Sequence, residues 1–272
     1  MEETRKKEAA AQEPEAVAER TETAAARKQA EEEHTAAAEA AASGSMSIIQ
    51  HLEELRIRLI KSLLAIALCS CAAYFFLDDI MHYLTLPAGK LYFMQPAEAF
   101  FTYIKVTVFT GFLLALPIVF YQAWAFFLPA LTRKERLVLG LIVPASVILF
   151  LGGLAFSFCL VLPAGIKFFM GIGSEEILPL FSVEKYLDFV IAFVLPFGLI
   201  FEVPLIIIIL ARLGIVSSQF LLKQFRYVFF LSFVFGAVIS PTPDIFTQSM
   251  IALPLSALYG LSALIVKYIM RK

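Results

Sequence analysis

Five long, almost uncharged apolar stretches decide which solvent this chain folds in. Residues 106–131, 137–166 and 245–266 hold no charge, 59–77 hold only Lys61, and 189–211 hold only Glu202. A helix rises about 1.5 Å per residue, so each stretch is close to or beyond the length that crosses a ~30 Å hydrocarbon layer. With 60% of its residues hydrophobic and a mean hydropathy of +0.82, the chain lies outside the range of soluble globular domains. Residues 227–240 form a sixth candidate of only 14 residues. They predict either a helix that thins the bilayer locally or a re-entrant pair with the segment that follows. The reading is an all-α integral membrane protein of six transmembrane helices, with helices five and six short.

Charge fixes the expected orientation. Twelve of the sixteen Lys and Arg residues after position 45 fall on one side of the spans, at Arg56, Arg58, Lys61, Arg133, Lys134, Arg136, Arg212, Lys223, Arg226, Lys267, Arg271 and Lys272. By the positive-inside rule that side faces the cytoplasm. The other side holds Lys90, Lys105, Lys167 and Lys185 among eight acids, Asp244 and Asp188 included, and is expected to face outward. Both termini then lie in the cytoplasm, which requires an even number of crossings. The expected location is the cytoplasmic membrane.

Residues 1–45 are a separate Ala/Glu-rich segment with eleven acids, six bases and almost no large apolar side chain. Such a composition builds no core and predicts disorder or a frayed helix. The transmembrane domain is expected over residues 46–272. The three cysteines, Cys69, Cys71 and Cys159, show neither disulfide nor metal spacing, and the three histidines stand in no HExxH or CxxC context. No nucleotide-binding fingerprint occurs. The sequence thus offers no catalytic residue, metal site or cofactor site, and nothing that would hold nucleic acid.

Glu202 is the charge that needs a reason. It sits near the middle of a 23-residue run, where an ionisable group costs roughly 3 kcal/mol on insertion scales and normally faces a partner, a wet cavity or a ligand. Pro204 follows two residues later and frees a carbonyl of the preceding turn, which makes room for a polar group. Pro117, Pro129, Pro144, Pro163, Pro196 and Pro254 also lie in or beside apolar runs. They are expected to kink the helices so that together they enclose a concave, cup-like surface.

The basic side carries a second anomaly. Its only acids after position 45 are Glu53, Glu54 and Glu135. Glu54 stands in His51-Leu52-Glu53-Glu54-Leu55-Arg56-Ile57-Arg58, where an i,i+4 pair with Arg58 would be worth a few tenths of a kcal/mol. Glu135 is ringed by Arg133, Lys134 and Arg136 in the loop between the second and third helices. The functional alternative to local salt bridging is a docking point for guanidinium groups, which a carboxylate receives in a forked geometry that lysine does not copy.

At these residues the chain resembles a known family. His51-Leu52-Glu53-Glu54-Leu55-Arg56, Tyr121-Gln122-Ala123-Trp124-Ala125-Phe126 with Lys134-Glu135-Arg136 beyond it, Phe201-Glu202-Val203-Pro204, and Ser240-Pro241-Thr242-Pro243-Asp244 with Gln248 are similar, in order, to signatures of the TatC subunit of the twin-arginine protein translocase. Gly260 departs from that pattern, since family members usually carry an acid there.

The resemblance implies a receptor for Arg-Arg signal peptides in a machine that exports folded proteins on the proton-motive force. Glu54 and Glu135 would hold the arginine pair, supported by Leu55, Arg56 and Arg136. Glu202 and Pro204, on a lipid-open concave face of helix four, would meet TatA- and TatB-type single-span subunits. Asp244 and Gln248 would serve the outer turn and packing against other subunits. Partners would be those small subunits, substrate proteins with twin-arginine signals, other TatC copies and the lipid bilayer. The competing reading is a secondary transporter of a small cationic solute with Glu202 as its central site. A scaffold without a transport role is the third.

Overall fold

The computed structural model describes residues 50–127, 136–171, 180–240, 242 and 244–268. The chain divides between Ile57 and Arg58, and the packing of the spans on one another belongs to the second unit. Six helices are long and apolar enough to cross a membrane. In chain order the helices are α1 (Gln50–Tyr74), the short α2 (Leu77–Thr85), α3 (Pro96–Phe127), α4 (Arg136–Phe156), α5 (Leu162–Met170), α6 (Val183–Arg212), α7 (Ser218–Ile239) and α8 (Ile245–Tyr268). A five-residue π-helical turn, Ser157–Val161, joins α4 to α5 in one span. Pro163 has no N–H to donate to the Cys159 carbonyl, and the turn widens at that point.

The expected 14-residue fifth span is corrected. The helix that contains it, α7, has 22 residues and starts at Ser218, so it takes in Lys223 and Arg226. Long basic side chains lay their stems along apolar surface and keep their charges at the interface, which lets a helix include them and still span. At 22 and 24 residues, α7 and α8 remain shorter than α3 and α6, at 32 and 30.

Of the six spans α6 is the most enclosed and α7 the least. The main core gathers Phe150 of α4, Phe193 and Phe197 of α6, Leu116 of α3 and Ile251 of α8. A methyl group at Gly198 would come within 2.7 Å of the Phe150 ring, and one at Gly153 would strike the Phe197 carbonyl. Gly153 thus brings the α4 backbone against that of α6, and Gly198 makes room for the Phe150 ring, the usual way membrane helices gain van der Waals packing where no hydrophobic effect operates between them. Ile207, Ala211, Leu221, Tyr259 and Val266 make a second cluster among α6, α7 and α8. There the Tyr259 hydroxyl donates to the Leu221 carbonyl at 3.0 Å, so the phenol is satisfied in an apolar setting.

Candidate functional site

The polar centre of the membrane region is built where α3, α4 and α6 meet. Glu202 on α6 is only 4% exposed, and Pro204 beside it is buried. Facing its carboxyl is Ser146, wholly buried on α4. The Ser146 oxygen accepts the indole N–H of Trp124 on α3 at 2.8 Å. Neither oxygen of Glu202 nevertheless reaches a hydrogen-bond partner among the described residues. A buried, unfilled acceptor pair of this kind costs about 1–3 kcal/mol.

The sequence-based expectation of a lipid-open Glu202 is corrected here, because the chain's own helices cover the carboxyl. The reason is energetic, since hydrocarbon offers an acid nothing, whereas a neighbouring hydroxyl offers at least a dipole. Ser146 was missed in the sequence. Its signal was present, as Ser146 and Ser157 are the only hydroxyls in residues 137–166, and an antiparallel neighbour of the Glu202 span would bring one of them level with it.

On the basic side Glu54 is half-buried on α1, and its Oε2 lies 3.8 Å from His51 Nδ1. Leu55 and Arg56 are exposed. Arg58 donates from Nη1 to Gln122 Oε1 at 3.4 Å, which ties α1 to α3. Glu135 lies outside the described residues, as does the side chain of Arg136, the first residue of α4.

At the turn between α7 and α8, Asp244 and Gln248 make bonds within the chain. Asp244 caps α8: Oδ1 accepts the Thr247 N–H at 2.8 Å, and Oδ2 accepts the Thr247 hydroxyl at 2.7 Å. Burial pushes the Asp244 carboxyl up, but its bonds from Thr247, Thr242 and Phe246 outweigh that and hold it below the usual aspartate value. Gln248 donates to the Phe233 carbonyl of α7 at 2.8 Å.

A further carboxylate was missed as a site because it counted only toward the charge of the outer loops. Glu98, third residue of α3, accepts the N–H groups of Met94 at 2.6 Å and Gln95 at 3.3 Å with Oε2. Its Oε1 accepts the Glu184 N–H at 3.0 Å and the Ser182 hydroxyl at the start of α6. One side chain therefore joins the N-termini of two spans. Beside it, Tyr92 N–H donates to the Phe181 carbonyl and Val183 N–H to the Tyr92 carbonyl, at 3.0 and 2.9 Å.

No cluster of three or more His, Cys, Asp or Glu side chains that could hold a metal exists among the described residues. The family of Sec-independent protein translocase proteins, TatC, matches residues 50–254 of this chain. The chain belongs to the TatC family. It is 36% identical over 231 residues to the Sec-independent protein translocase protein TatC of Carboxydothermus hydrogenoformans, which covers 84% of this chain and 95% of that one. A TatC of Synechocystis sp. is 40% identical over 216 residues, covering 79% and 85%. The crystal structure of a TatC described as the twin arginine translocase receptor superposes with a TM-score of 0.71 at 34% identity, over 81% of this chain and all of that one.

This TatC-family chain is thus a multi-pass component of a protein translocase and not an enzyme. The alternative of a small-solute transporter finds no support among these relatives. It rested on Glu202 as a lone charge, and a lone charge reports a polar task at that depth without saying what performs it.

Proposed function

We propose that this chain is the signal receptor at the core of a twin-arginine translocase. Glu54 and Glu135 receive the arginines of a signal peptide, and Glu202 engages TatA- and TatB-type spans. The observation that carries the reading is the placement of acids on a face with twelve bases: a di-arginine peptide would be repelled there unless fixed carboxylates received it. Leu55 and Arg56 flank one of these acids and Arg136 the other.

The chain would lie in the cytoplasmic membrane with both termini in the cytoplasm, other TatC copies beside it. A polar side chain from a partner span would fill the empty acceptors of Glu202, a bond of roughly 0.6–2 kcal/mol, and the helices that cover Glu202 would part to admit it next to Pro204. Export of folded cargo would draw on the membrane potential, at ~2.3 kcal/mol per charge per 100 mV. The test is photocrosslinking of a twin-arginine signal peptide and its Lys-Lys counterpart to the wild type and to Glu135→Ala. Labelling by the arginine peptide should fall about tenfold with either change. Equal labelling in all four combinations would reject the receptor site.

A further inference from the structure

A groove of about 990 Å³ lies among α1, α3, α6 and α7, and Glu202 is not among the residues that line it. Leu63, Phe112, Leu195 and Phe235 represent its walls, which are almost wholly apolar. Two charged residues, Lys105 and Asp188, also line it. Lys105 Nζ donates to Asp188 Oδ1 at 2.8 Å, to its Oδ2 at 3.1 Å and to Glu184 Oε1 at 3.1 Å. The triad is one base against two acids, so it carries one net negative charge, and all three side chains stay accessible, at 41%, 43% and 34%.

Depth adds a constraint. At 1.5 Å per residue the 32 residues of α3 reach about 48 Å, roughly 9 Å beyond a centred 30 Å hydrocarbon layer at each end. Lys105, nine residues into α3, is then about 14 Å from its start, and Asp188, five residues into α6, about 8 Å. The triad lies within a few ångströms of the level where headgroups meet acyl chains.

An apolar groove whose one charged end sits at that level fits an amphiphile better than a helix, which would meet apolar walls along its whole length and gain nothing from a mouth of both signs. The net negative charge selects a cationic head. An ammonium that still carries N–H groups can donate to Glu184 and take over one Asp188 oxygen, which releases an N–H of Lys105 to the adjoining phosphate. We propose that this groove binds one phospholipid with a primary-ammonium headgroup, from the leaflet on the acid-rich side of the chain. The ammonium rests on Asp188 and Glu184, and the acyl chains lie between α1, α3, α6 and α7. A quaternary choline head keeps the charge but has no N–H to give, and a glycerol head carries only the anionic phosphate, so the order of affinity is ethanolamine, choline, glycerol.

The full chain in detergent, titrated with palmitoyl-oleoyl phosphatidylethanolamine, phosphatidylcholine and phosphatidylglycerol and followed by native mass spectrometry, tests this. The wild type should retain one ethanolamine lipid about tenfold more tightly than the glycerol lipid. The double variant Asp188→Asn, Glu184→Gln should bring the two to parity. Ala192→Phe, which fills the groove wall, should weaken all three lipids and keep their order. It also tests the site if the double variant does not fold. Equal retention of the three headgroups by the wild type, or an ethanolamine preference that survives the double variant, overturns the proposal. So does displacement of every lipid alike by a hydrophobic single-span peptide, which assigns the groove to a helix. Signal-peptide labelling is a separate readout, so this site and the receptor site can fail independently.

Discussion

Two buried glutamates, Glu98 and Glu202, are almost equally covered, at 6% and 4% exposure, yet they stand in opposite states. Glu98 accepts from three backbone N–H groups and one hydroxyl, while Glu202 accepts from none of the described residues. The first is tied off inside the chain and holds two helix starts together. The second is left with both acceptors empty in a region where water is scarce. Burial alone therefore does not separate a structural acid from one kept for a partner; the donor inventory does.

The contrast breaks most sharply on truncation. Glu98→Ala strands the N–H groups of Met94, Gln95 and Glu184 and should lower the thermal midpoint in detergent by several degrees, the largest loss of the set. Glu202→Met should move the other way. Replacing an unpartnered buried acid by an isosteric apolar side chain should raise the stability of the isolated subunit by about 1–2 kcal/mol and weaken its capture of single-span partners. If both variants destabilise alike, Glu202 has a donor inside the chain and the contrast is void.

A smaller effect sharpens the picture around Glu202. Ser146→Ala and Trp124→Phe should each weaken partner capture by about 0.5–1 kcal/mol, and the double variant by no more than the stronger single one, since the bond of Trp124 at this site is to Ser146. Additive losses would show two independent contributions. The smallest effect lies at Asp244, whose carboxyl titrates below its ordinary value. Its contribution is complete above the unfolded value of ~3.9 and is lost as the pH falls through the lower folded value. Asp244→Asn should cost about 0.5–1 kcal/mol near neutrality, and the gap from wild type should close in melts below pH 4.

How legible each site was in the sequence depends on how far its defining contacts reach. Glu202 stood out because one charge among 23 residues is visible without any partner. Ser146 did not, and Trp124 showed only as part of a signature, because their joint meaning arises from packing three helices at one depth, which no single run encodes. Glu98 gave a local hint, an acid three residues into a helix that opens on Pro96, but half of its bonds cross to α6, more than 80 residues away. The start of α7 was misplaced for a related reason: Lys223 and Arg226 interrupt an apolar run, while their flexible stems let the helix pass through.

By itself the sequence determined that this chain crosses a membrane, roughly where, with which face basic, and to which family it belongs, because lipid imposes length and polarity on each segment separately. Tertiary structure decided which polar groups find donors. It closed Glu98, left Glu202 empty, put Asp244 and Gln248 to work inside one turn, and set Lys105 beside Asp188 at a groove mouth. A hydrogen bond needs its two atoms within about 3 Å, and only the packing of helices distant in sequence brings them that close.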